Sequence, residues 1–162
     1  MIDLIVIFIA EYLHIFIVCI FVTFFFVTTS TTRKELLIQS LVTFLLAFSL
    51  SRLLNSIIAN PRPFVAENTI PLFPHIADNG FPSDHTLLTA TIAAIVFTYN
   101  KKLGVLLFIL SLLVGGARVL AKVHHMADIA GSIGIAFLSA WIISVLYAQL
   151  KKKLNLPTSS VN

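Results

Sequence analysis

The sequence predicts an all-α integral membrane protein, a bundle of about five transmembrane helices forming one domain over residues 1–162. The first observation is compositional: 58% of residues are hydrophobic, only 11% are charged, and the mean hydropathy is +0.99. A chain with so little polar surface cannot cover a soluble core. The second is spacing, because crossing the hydrocarbon layer takes about 20 mostly apolar residues and such runs recur along the chain. The third is charge placement. The formal charge of +4 is too small to indicate a nucleic-acid partner, but its distribution has a direction.

The first apolar run covers residues 4–27. It begins Met1-Ile2-Asp3, with no basic flank and no small-residue cleavage site, so it reads as a retained helix and not as a signal peptide. Further spans are expected at 36–58, 86–99, 103–120 and 129–150. The third is short, and its helix is expected to start within the turn 83–85. Between the second and third lies an irregular loop, 59–82, with five of the six prolines (61, 63, 71, 74 and 82). Loops of that length are functional or disordered, and this one, extended to residue 85, is expected to carry part of a site. Residues 156–162 read as a frayed end. Cys19, the single cysteine, reads as a small packing residue. The fourteen phenylalanines read as lipid-facing bulk, and Gly115-Gly116 and Gly131 with Gly134 as close-packing points between helices.

Five crossings put three segments on one side: 28–35, 100–102 and the C-terminal tail. They hold Arg33, Lys34, Lys101, Lys102, Lys151, Lys152 and Lys153, seven of the eleven basic residues. The positive-inside rule makes that side the cytoplasm, so the N-terminus is expected outside and the C-terminus inside.

The other four basic residues, Arg52, Arg62, Arg118 and Lys122, fall beside the residues able to do chemistry. Pro61-Arg62-Pro63, Pro82-Ser83-Asp84-His85 and Arg118-x5-His124-x3-Asp128 bring together two arginines, a hydroxyl, two histidines and a carboxylate. The fixed fork of arginine donors matches phosphate oxygens in pairs, and a histidine backed by a carboxylate serves as nucleophile or base. Together they suit phosphoryl transfer at the outer edge of a membrane.

These three stretches, in this order and each beside a span, resemble the signature of the type 2 phosphatidic acid phosphatase superfamily: Lys-x6-Arg-Pro, Pro-Ser-Gly-His and Ser-Arg-x5-His-x3-Asp. The resemblance is close over residues 52–135, and the run from Pro74 to His85 is similar to the bacterial branch that dephosphorylates undecaprenyl diphosphate. Asn55 stands at the lysine position, Asp84 at the glycine and Ala117 at the serine. Asp84 matches the bacterial branch; the other two changes each remove a phosphate contact.

The resemblance implies that His124 is the nucleophile, and the spacing agrees: in a helix starting at Val123, Asp128 would share the His124 face and hold one ring nitrogen. His85 is then the general acid that protonates the leaving oxygen and afterwards activates water. Arg62, Arg118 and Ser83, with N–H groups at the third helix's start, are expected to hold phosphate. Pro-Ser-x-His alone is an ordinary helix cap, and its weight comes from its companions. Lys122, one turn from Arg118, is expected at a second phosphate or the head-group layer, and His125 about 100° from His124 on the same helix. His75 and Asp78 are placed at the rim or in plain loop structure. Nothing in this set asks for a metal or other cofactor.

Glu11 and Arg52, ionisable residues inside apolar runs, are expected to pair beneath the site at matched depth. The competing partners are His14 for Glu11 and, for Arg52, the phosphate that the absent lysine would have held.

The expected function is a metal-independent lipid phosphatase acting on undecaprenyl diphosphate through a phosphohistidine. It would recycle the carrier lipid of cell-wall synthesis in the bacterial cytoplasmic membrane, with the lipid bilayer and a polyprenyl or other lipid phosphate as partners. The alternatives are another lipid phosphate (phosphatidylglycerol phosphate, phosphatidic acid or lipid A) or a lipid-binding or transport protein with an impaired site.

Overall fold

In the computed structural model, which describes residues 1–154, five long helices and one short turn follow each other in the order α1 (Ile2–Val27), α2 (Ser30–Ile57), α3 (Pro63–Ala66), α4 (Asp84–Tyr99), α5 (Lys101–Leu120) and α6 (Met126–Lys153). The end expected to fray, 156–162, lies outside the described residues. Four of the helices, α1, α2, α5 and α6, are long and apolar enough to cross a membrane.

The largest difference from the expected boundaries is at α2, which begins at Ser30 although 30–35 are polar. Hydropathy marks where lipid contact begins, whereas the helix starts at its cap. Thr29 accepts from Thr32 N at 3.4 Å, and Arg33 donates to the carbonyls of Phe25, Phe26 and Thr28, which close the end of α1.

α4 is the axis of the bundle. One cluster packs Ile92, Ala93 and Val96 against Ile17 of α1 and Leu107 and Val114 of α5. A second packs Leu87 and Ala90 against Ala47 of α2 and Ile135 and Ala136 of α6. With protein on both sides, α4 can carry threonines: Thr89 bonds Ser111 of α5 at 2.8 Å, and Thr91 turns its hydroxyl to the Leu87 carbonyl. α1 and α2, neighbours in sequence, barely touch, because α4 separates them. α1 instead presents Leu4, Phe8, Phe16 and Phe26 outward. Cys19 is exposed on α1 and does not pack in the core.

A Cβ on Gly131 would overlap the Phe81 ring, and one on Gly115 would overlap Ile129, as expected of close-packing points. Gly116 and Gly134 face open space and are not such points.

At one end of the bundle lie the α1–α2 turn, the α4–α5 turn and the end of α6, with Lys151 Nζ donating to Glu35 at 2.6 Å and Gln39 to Tyr99 OH at 2.6 Å. The segments 58–83 and 121–125 close the opposite end.

Candidate active site

Local rules put each arginine and histidine in place. Arg62 stands between two prolines, and the residue before a proline is kept out of the helical region. Its backbone is accordingly extended (φ −61°, ψ 151°), and its carbonyl opens the α3 turn while its side chain reaches inward. α5 ends in a Schellman turn: Lys122 takes φ 61°, its N–H bonds Val119 O at 2.9 Å, and Val123 N–H bonds Arg118 O at 3.2 Å. That turn folds His124 back beside Arg118. Lys122 itself is exposed and does not line the cavity.

His124 and Asp128 do not share one helix, contrary to expectation. α6 starts at Met126 with His125 as its N-cap, so His124 lies in the preceding turn and His125 is not a helical neighbour 100° away. The physical reason is capping: Asp128, third in α6, accepts the His125 N–H at 2.8 Å. The same carboxylate oxygen accepts His124 Nδ1–H at 3.3 Å, and the other accepts Asn60 Nδ2–H at 2.6 Å. Asp128 is fully buried and His124 nearly so, at 2% exposure. With Nδ1 committed to an acceptor, the lone pair lies on Nε2, which faces the cavity 3.2 Å from Arg62 Nη1.

That cavity, about 240 Å³, is lined by Arg52, Arg62, His75, His85, Arg118 and His124, with Asn55, Asp78 and Asp84 among the others. Arg62 donates from Nε to Asp78 at 2.6 Å and from Nη1 to Val123 O at 2.8 Å. Arg118 donates to His75 Nε2 at 2.7 Å and lies over the Phe73 ring, while its buried Nε has no partner. Ser83 is buried behind the wall, where Thr86 donates to its hydroxyl at 3.2 Å; it does not line the cavity.

Burial pushes the His124 imidazole below its ordinary value; the Asp128 bond opposes this, and Arg62 and Arg118 add to the lowering. His75 is lowered by burial and then by the same two arginines. Burial would raise the Asp78 carboxyl, but the Arg62 bond and charge outweigh it and hold the group below the usual range. At neutral pH the lowered His124 and His75 imidazoles therefore lie uncharged beside fixed cations, which suits an anion with a nucleophile beside it.

Glu11 and Arg52 do not pair. Arg52 bonds Asp84 and lies over the Phe48 ring at the cavity mouth, about half exposed. Glu11 sits on the far side of α4, lining a second cavity with His75, His85 and Arg118. Equal depth on consecutive helices failed as a guide because α4 stands between α1 and α2. Asn55, at the lysine position, is spent on the Phe81 carbonyl at 2.6 Å.

Three residues escaped the sequence reading. Asn60 holds Asp128. Asn79 ties the loop together, accepting Asn60 N–H at 2.9 Å and donating to the carbonyls of Asn55 and Ile58. Gly80 lets the backbone pass where a Cβ would stand 3.1 Å from Asp128 Oδ2. The Asn-Gly pair was the available signal for the last two. His75 proves more central than a rim position, its ring 6.2 Å from that of His124.

The family model described as the PAP2 superfamily matches residues 36–152. The bacitracin transport permease protein BcrC of Bacillus licheniformis is 33% identical over 144 residues, 88% of this chain and 70% of that protein. The undecaprenyl-diphosphatase BcrC of Bacillus subtilis (strain 168) is 31% identical over 86% of this chain and 72% of its own. Among solved structures, LpxE of Aquifex aeolicus superposes with a TM-score of 0.73 at 25% identity, covering 89% of this chain and 86% of that one.

Proposed function

Because this chain belongs to the PAP2 superfamily and is a multi-pass membrane lipid phosphatase, we propose that it hydrolyses undecaprenyl diphosphate to undecaprenyl phosphate through a phosphohistidine at His124. One observation carries the reading: a buried His124 with Nδ1 held by Asp128 and Nε2 turned to the wall of an arginine-lined cavity, 3.2 Å from Arg62 Nη1.

In the first half-reaction the Nε2 lone pair attacks the terminal phosphorus. The bond to the undecaprenyl phosphate oxygen breaks, and His85 gives that oxygen its proton. Water then attacks the phosphohistidine, its proton passes to His85, and the P–N bond breaks to release inorganic phosphate. Arg62 and Arg118 exchange their present acceptors for phosphoryl oxygens and oppose the charge that spreads over them. Arg52, one turn before Asn55 and within the same cavity, takes the place of the family lysine and holds the second phosphate once it leaves Asp84.

The same proposal sets α4 as a fifth crossing in the bacterial cytoplasmic membrane, with the site facing outward and the lysine-rich end in the cytoplasm. At 16 residues α4 is about 24 Å long, short of the ~30 Å layer, and its burial within the bundle supports a span of that length.

The test is phosphate release from undecaprenyl diphosphate by purified protein in detergent with EDTA, together with trapping of an alkali-stable phosphoprotein. Both are expected for the native chain and neither for His124→Ala. Faster turnover of phosphatidylglycerol phosphate, phosphatidic acid or lipid A would move the substrate assignment to that lipid. A second reading, a binding or transport protein with an impaired site, draws on Asn55 and on the permease name of the Bacillus licheniformis relative. Lipid binding without turnover would select it; Arg52 beside Asn55 supports an intact site instead.

A further inference from the structure

Two ionisable side chains of α1 have no role in the chemistry above. Glu11 and His14 are one turn apart and share a face. That face is turned to the site: the rings of His14 and His85 meet edge to face with centroids 4.6 Å apart. Glu11 lines a cavity of about 260 Å³ with His75, His85 and Arg118. The neighbouring Ala10 carbonyl accepts Arg118 Nη1–H at 3.4 Å, which ties α1 to the phosphate-holding arginine. His14 Nδ1 is buried and has no hydrogen-bond partner. The family match begins at residue 36, so it assigns nothing to α1.

The charges around His85 point the same way. Facing it are His14 and Glu11 from α1, Arg118 from α5, His75 from the long loop and His124 from the turn before α6. From α2, Arg52 is taken up by Asp84 on the turn of His85 itself, and from α6, Asp128 is taken up by His124. Arg62 is taken up by Asp78. Three carboxylates are thus matched to other groups, while Arg118 is held by a carbonyl, an imidazole and the Phe73 ring. A proton on His85 sits beside that arginine, and Glu11 is the carboxylate on the same side.

We propose that Glu11 and His14 are positioning residues for the general acid, making α1 part of the active site. Glu11 provides the negative charge against which His85 keeps its proton beside Arg118. His14 fixes the His85 ring so that its N–H points at the leaving oxygen. This inference rests on His85 being the acid of the proposed reaction.

The test is the pH dependence of kcat on undecaprenyl diphosphate. Glu11→Gln is expected to move the alkaline loss of activity to lower pH by about one unit, leaving the rate at mildly acidic pH close to native. Glu11→Asp should restore most of that displacement. His14→Asn should lower kcat about tenfold with little change in KM, as expected for orientation lost without loss of binding. A uniform fall at every pH, unrelieved by Glu11→Asp, would mean a structural role only and overturn the proposal. An unaltered profile in both Glu11 variants would also overturn it. If Glu11→Gln does not fold, the smaller displacement expected in Glu11→Asp and the kcat effect of His14→Asn decide the matter. His85→Ala serves as the separate control: if it keeps the native alkaline limb, the assignment of the acid fails and this inference falls with it, whereas a limb lost with His85 but unmoved in the Glu11 variants overturns the inference alone.

Discussion

At His124 burial and charge pull one imidazole in opposite directions. Burial and two arginines lower its proton affinity, Asp128 raises it, and lowering wins. The acid limb of kcat/KM is therefore expected below pH ~6.5, the ordinary histidine value, within a bell that reports the coupled pair His124 and His85. A profile flat from about pH 5 to 9 would count against two-histidine catalysis. Stability follows the same linkage. His124 and His75 refuse protons in the fold that the unfolded chain accepts near pH 6.5, so the thermal midpoint in detergent should fall as pH drops from about 7 to 5. The fall should level off once the folded groups are themselves protonated, and His75→Asn should reduce it. Arg52 leads to a further expectation. Arg52→Gln should cost about 10- to 100-fold in kcat/KM, the worth of a charge-assisted bond, with Asp84→Asn milder. No loss in Arg52→Gln would leave the lysine position unfilled.

Among the elements, α4 determines both stability and site. It packs on α1 and α5 with one face and on α2 and α6 with the other, and its first turn carries Asp84 and His85. The approach to that turn is set where Phe81 rests on Gly131 of α6. Gly131→Val is therefore expected to cost about 1–3 kcal/mol from overpacking and to lower turnover as well, because displacing Phe81 moves Pro82 and the whole start of α4. Thermal unfolding and kcat measured on one preparation check both effects; lost stability with native turnover would show that the contact does not position the site. Gly134→Ala, which meets open space, is the matched control.

For the whole molecule, the basic residues at one end and the site at the other yield a topology that a reporter can read. A reporter fused after Asn162 should be active only in the cytoplasm; activity confined to the outside would reverse the orientation. The sequence by itself determined the apolar helices, the three motifs and the gathering of lysines at one end, because hydropathy, proline placement and lysine counts are local quantities. His124, Arg62, Arg118 and His85, picked out by their motifs, line one cavity, with Asp128 buried behind His124. Only the tertiary structure decided which helices touch. Inserting α4 between α1 and α2 separated Glu11 from Arg52, sent Arg52 to Asp84 and the cavity mouth, and brought Glu11 and His14 to His85. Asn60 reaches Asp128 across 68 positions of sequence and Arg118 meets Ala10 across 108, distances over which no periodicity carries information. Side-chain partners at that range depend on how the helices pack, and packing is a property of the assembled bundle.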